Sequence, residues 1–143
     1  MNKYYTPKIE ELCIGFRCEY KMLKGFWKPI ICDSEILSLI FEDLLKGNDY
    51  FISSCRVKFL DREDIESLGF IHIDGSNDCR YFKEDKYGRK YRLYFGPTLN
   101  GHGIVSINVS VEDFPHEKPI QIFRGIIKNR SELERLFKQL NIK

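Results

Sequence analysis

The chain has 143 residues, 43% of them hydrophobic and 31% charged, and its 23 basic and 21 acidic side chains leave a net charge of +2. That length suits one domain with a core of its own. The near-balance of charge excludes a global pull toward nucleic acid or an anionic membrane, so any such binding rests on a local patch.

Residues 1–8 read as a flexible arm, with Pro7 stopping an early helix. Residues 11–20 alternate, Leu12, Ile14, Phe16 and Cys18 against Cys13, Gly15, Arg17 and Glu19, which predicts a half-buried strand. A turn at Lys24-Gly25 leads to a second strand over 26–32, where Pro29 points to an edge or a bulge. Asp33 or Ser34 caps a helix over 34–46, with Ile36, Leu37, Ile40, Leu44 and Leu45 as its buried stripe and Gly47-Asn48 as its stop. Residues 53–60 form a strand with Cys55, Val57 and Phe59 inward, and Asp61 caps a short turn of helix ending at Gly69.

The remainder is rich in strands, expected near 70–73, 79–84, 90–95, 104–112 and 119–127. Breakers lie between them at Asp74-Gly75, Tyr87-Gly88, Gly96-Pro97, Asn100-Gly101 and Phe114-Pro115. Val105, Ile107, Val109 and Val111 alternate with Ser106, Asn108 and Ser110, the cleanest half-buried pattern in the chain. The chain closes on a helix over 131–141, with Leu133, Leu136, Phe137 and Leu140 as its apolar stripe. Ser131 and Glu134 have the spacing of a capping box at its start. These elements predict an α+β fold in a single globular domain, 1–143. Its antiparallel, mostly meander sheet would carry the two main helices, about 34–46 and 131–141, packed on one face.

The strongest candidate site is the basic-aromatic hairpin 80–95. Arg80, Lys83, Arg89, Lys90 and Arg92 interleave with Tyr91 and Tyr94, a composition that grips phosphates and stacks bases. Alternation sets Tyr91, Leu93 and Phe95 against Lys90, Arg92 and Tyr94, so the same run also fits a core face backed by a solvated one. The acids Asp61, Glu63, Asp64 and Glu66 lack the spacing of a calcium loop and suit a helix start.

His72, His102 and His116 form no HExxH or HxH pattern, and Cys55 and Cys79 have no local feature that would activate a thiolate. The stretch 96–103 contains GxG but joins two strands, so it is a connector and not a phosphate loop, and 74–78 is turn chemistry. No catalytic residue, metal site or cofactor is indicated.

Three phrases carry a resemblance: Tyr5-Thr6-Pro7-Lys8-Ile9-Glu10-Glu11 with Gly15-Phe16 following, Val57-Lys58-Phe59-Leu60-Asp61-Arg62-Glu63-Asp64-Ile65-Glu66-Ser67-Leu68-Gly69-Phe70, and Phe123-Arg124-Gly125-Ile126-Ile127-Lys128-Asn129-Arg130-Ser131-Glu132-Leu133. Together they resemble small uncharacterised proteins of tailed phages and prophages of gut anaerobes. The resemblance covers about half the chain and implies a mobile-element origin and action inside the bacterial host. Cys13 and Cys18 depart from it, since polar or aromatic residues are expected there.

Two functions follow as expectations. The first is a non-enzymatic accessory protein that works through protein–protein interaction, by binding a host factor or by self-assembly. Exposed aromatics among Tyr4, Tyr5, Trp27 and Tyr94 would suit an interface, while Trp27 fits a core position equally well. The second is a nucleotide or nucleic-acid binder using the 80–95 hairpin. A cytoplasmic location is expected for either. No apolar run approaches the roughly 20 residues that span a bilayer. The N-terminus lacks the apolar stretch of a secretory signal, and the five cysteines, without close CxxC spacing, fit free thiols.

Overall fold

The computed structural model describes residues 3–73, 79–97, 103–111 and 118–143. The strands β1 (Tyr4–Tyr5), β2 (Arg17–Lys21), β3 (Trp27–Ile31) and β4 (Cys55–Lys58) form one antiparallel sheet in the order β1-β4-β2-β3. A second antiparallel sheet runs β5 (Ile71–His72), β6 (Cys79–Glu84), β7 (Arg89–Pro97), β8 (Gly103–Val111) and β9 (Ile120–Ile127) in chain order. The α+β class and the meander expected from the sequence are therefore present. The strands divide into two sheets, however, because β4 turns back to pair with β2 and does not lead into β5. The chain gathers accordingly into two units, Met1–Phe59 and Leu60–Lys143.

In the first unit Phe16, Cys18, Cys32, Cys55 and Val57 form the core, and Ile36 and Leu37 of helix α1 (Ser34–Leu45) pack on it. Asp33 caps α1 by accepting from the Ile36 amide at 2.8 Å. At its other end Gly47, with φ at 78°, lets the Asn48 amide turn back and donate to the Asp43 carbonyl. A short helix α2 (Tyr50–Ser53) follows, which the sequence patterning did not suggest.

The strand expected over 11–20 begins only at Arg17. Gly15 takes φ of 85° in a turn closed by the Phe16 amide donating to the Cys13 carbonyl, so Ile14 faces solvent and breaks the alternation. Tyr4 and Tyr5, expected in a loose arm, pair with Lys58 and Val57.

β3 is a sheet edge. The Cys32 amide donates to Phe16 and the Met22 amide to Phe26, which fixes the phase of the β2–β3 ladder. In that phase Trp27, Pro29 and Ile31 turn their backbone groups to the open side. Pro29 thus removes a donor from the exposed edge, which blunts it against pairing with another strand.

In the second unit one face of the five-stranded sheet is buried. Tyr81, Tyr91, Leu93, Val105 and Ile107 pack with Ile65 of α3 (Arg62–Ser67) and with Leu133, Leu136 and Phe137 of α4 (Arg130–Gln139). Asp61 and Asp64 make the capping box of α3, which accounts for the acidic cluster, and Arg62 pairs with Glu66 at 2.7 Å.

The N-cap of α4 lies two residues earlier than the capping box suggested by the spacing of Ser131 and Glu134. Asn129 accepts from the Glu132 amide at 3.0 Å, and the Glu132 carboxylate accepts from the Lys128 amide at 2.6 Å. Asn is as good a cap as Ser, and starting at Arg130 turns Ser131 inward with Leu133. The helix ends at Asn141, φ 54°, where the Ile142 amide donates to the Phe137 carbonyl and Ile142 folds into the core.

Candidate functional site: the outer face of the five-stranded sheet

Register sorts the side chains of the hairpin. Phe82, Arg92, Asn108 and Gln121 stand opposite one another in a row across β6 to β9. Arg80, Tyr94, Ser106 and Arg124 make the next row, and Glu84, Lys90 and Ser110 a third. All lie on the face turned away from α3 and α4, because the intervening residues are those of the core. Among the described residues no side chain in these rows is buried, and Arg80, Arg92 and Arg124 are exposed. Among the described residues, these rows hold four cations, Arg80, Lys90, Arg92 and Arg124, and one acid, Glu84.

Of the residues singled out in the sequence, Arg80, Lys90, Arg92 and Tyr94 come together here, and the Arg80 guanidinium lies 5.7 Å from the Tyr94 ring. The other three do not belong to this face. Tyr91 is buried in the core, where burial pushes its phenol up and its hydroxyl donates to Asp85 at 3.3 Å. Lys83 turns the opposite way and donates to the Leu68 carbonyl at 2.8 Å.

Arg89 pairs with Asp85 at 2.7 Å, which raises its own pKa. Asp85 holds the β6–β7 turn by accepting also from the Tyr87 and Arg89 amides, at 2.8 and 3.1 Å. Burial alone would push the Asp85 carboxyl up, but these amides and the guanidinium together hold it below the usual carboxylate value.

Sequence reasoning missed Arg124 and Gln121, because only strand pairing brings β9 beside β8. The alternation in 105–111 did place Ser106, Asn108 and Ser110 on a polar face. Ser106 donates to the Gln121 amide oxygen at 3.3 Å. Asn108 Oδ1 is buried without a partner, a state that costs about 1–3 kcal/mol.

The other residues considered lie elsewhere. Tyr4 and Trp27 flank the Arg56 guanidinium at 4.0 and 4.2 Å, and Arg56 pairs with Glu19 at 2.6 Å. Tyr5 stacks on Phe59 and donates to Glu11 at 2.7 Å. These three aromatics are thus engaged within the first unit.

Cys55 is a core residue, and Cys18 is hydrogen bonded to both Cys32 and Cys55. The bond with Cys32 lowers the Cys18 pKa, but the bond with Cys55 and burial outweigh it and push the thiol up to about 12. Hydrogen bonding to Cys18 and then burial raise Cys32 well above the thiol range. His72 lies edge-on to Tyr81. His102, His116, the 74–78 turn and residues 98–102 of the glycine connector lie outside the described residues, as does the side chain of Cys79. Among the described residues no three His, Cys, Asp or Glu side chains gather to hold a metal ion. No described helix is long and apolar enough to cross a membrane.

No protein-family model matches the chain. No curated protein and no solved structure matches it either.

Proposed function

We propose that this is a non-enzymatic binding protein whose ligand is nucleic acid, held on the outer face of the five-stranded sheet. The observation that carries the reading is the register: it gathers four cations from three strands beside Phe82 and Tyr94, and the described residues of these rows include one acid, Glu84. A sheet that offers cations for phosphates, rings for bases and amides and hydroxyls for base edges has the ingredients of sequence-tolerant recognition. The resemblance to phage and prophage proteins supports a place of action in the cytoplasm of the bacterial host.

Titration of a fluorescent oligonucleotide tests the reading. Binding is expected to weaken steeply with salt and to be lost in Arg92→Glu and Arg124→Glu variants that keep the parent melting temperature. Undiminished binding in both variants would remove this face from consideration.

Protein docking or self-association is a second reading, favoured by the apolar side chains the first unit leaves exposed. Leu23 is fully exposed and Phe26 half so at the β2–β3 turn, while Phe41 and Leu45 lie one turn apart on α1 with Leu45 88% exposed. Light scattering over a concentration series tests the self-association branch. A mass that stays monomeric at all concentrations, with no change in Leu45→Glu, counts against it.

A further inference from the structure

We infer that the ligand of this face is a single strand with neighbouring bases drawn apart, one resting on Tyr94 and the next on Phe82. The inference rests on the nucleic-acid reading above and adds the form of the ligand.

Tyr94 lies directly opposite Arg80, and Phe82 directly opposite Arg92, so the two rings occupy diagonal positions on adjacent strands. Diagonal neighbours in an antiparallel pair are roughly 7–8 Å apart. Bases stacked in a duplex follow one another at about 3.4 Å along each strand. Two consecutive bases can each lie on a ring only if they part to about twice that spacing, which a single strand permits and a duplex forbids. Each ring also has a guanidinium across the strand pair, Arg80 at 5.7 Å from Tyr94 and Arg92 opposite Phe82, so each base position is coupled to a cation for its phosphate.

The row through Phe82 and Arg92 continues to Asn108 and Gln121. Gln121 is exposed there, and its carboxamide offers polar groups that a spread strand, with its base edges unpaired, would meet. A mononucleotide would engage one ring and leave the second row unused.

The test compares three probes by fluorescence anisotropy: a labelled single strand of about 10 nucleotides, the same strand annealed to its complement, and adenosine monophosphate as competitor. A strand with two adjacent 2-aminopurines reports unstacking directly. The single strand is expected to bind about 25-fold or more tighter than the duplex, about fivefold for each ring. Tyr94→Leu and Phe82→Leu should each weaken the single strand by about fivefold or more and leave duplex binding unchanged. The 2-aminopurine pair should brighten on binding.

Equal affinity for strand and duplex overturns the inference. So does single-strand binding that survives loss of both rings. If Arg92→Glu still abolishes binding in either case, the nucleic-acid reading stands without it. If no probe binds the parent protein, both fall.

Discussion

The cations of the outer sheet face set how steeply nucleic-acid binding should respond to salt. Arg80, Lys90, Arg92 and Arg124 share that face. If each neutralises one phosphate of a single strand, log K falls against log salt with a slope of about −3, at about −0.7 per phosphate. Affinity then drops roughly 50-fold between about 50 and 200 mM salt.

Arg124→Ala removes one contact, and the slope should fall to about −2. Lys83→Met is the control. Lys83 belongs to the hairpin and is as basic as its neighbours, but its ammonium serves the Leu68 carbonyl on the opposite side of the sheet. Methionine keeps its apolar stem, so the slope should stay near −3. Anisotropy titrations at four or five salt concentrations measure both slopes. A Lys83→Met slope that falls as far as that of Arg124→Ala would show that proximity in sequence, and not the face of the sheet, governs the contacts.

The start of α4 yields a second prediction. Asn129→Ala should cost about 1–2 kcal/mol in urea unfolding, while Glu134→Ala, which loses a surface pair with Arg130, should cost about 0.5 kcal/mol or less; the reverse order would restore Ser131 as the cap. Asp85, with its lowered folded pKa, contributes stability that is complete above the unfolded aspartate value of about 3.9 and is lost as the pH falls through the folded value. Asp85→Asn should therefore flatten the acid limb of the stability profile below about pH 4, and an unchanged limb would argue against the hydrogen bonds to the turn.

Alkylation of the folded protein at about pH 8 should label Cys13 and spare Cys18, Cys32 and Cys55, as read by peptide mass spectrometry. Rapid labelling of Cys18 would contradict its burial. Pro29→Val restores a donor to the open edge of β3, and should raise the mean mass in a concentration series by light scattering while the parent mass stays constant.

Local signals were legible wherever a residue acts on its own neighbours. Asp33 and Asp61 were readable as caps, Gly47 and Gly69 as stops and Pro29 as an edge residue, because each works within a few residues of backbone. The alternation in 105–110 marked both the core face and the polar face of β8. The same rule failed over 11–16, where Leu12, Ile14 and Phe16 keep a strand's spacing but Gly15 at positive φ turns the chain. Periodicity reports which residues are apolar; it does not report whether the backbone between them is extended. The division into two sheets was not legible, since it depends on β4 returning to β2 across the whole length of α1 and α2.

The candidate site shows the same boundary more sharply. Read along the chain, residues 80–95 are one basic-aromatic patch, and the net charge of +2 gives no hint of where it would act. The pleat splits that patch in two. Lys83, Arg89 and Tyr91 go to the helix side, where a carbonyl and Asp85 satisfy their polar groups. Arg80, Lys90, Arg92 and Tyr94 go to the other side, which keeps three of the hairpin's five candidate cations. Pairing then adds to them, because β9 brings Arg124 into the row of Tyr94. A balanced chain thus carries a cationic face without a cationic sequence, and the residue that completes it lies outside the segment whose composition drew attention. Strand register, and not local charge density, is the quantity that decides whether such a hairpin is a solvated edge or a binding surface.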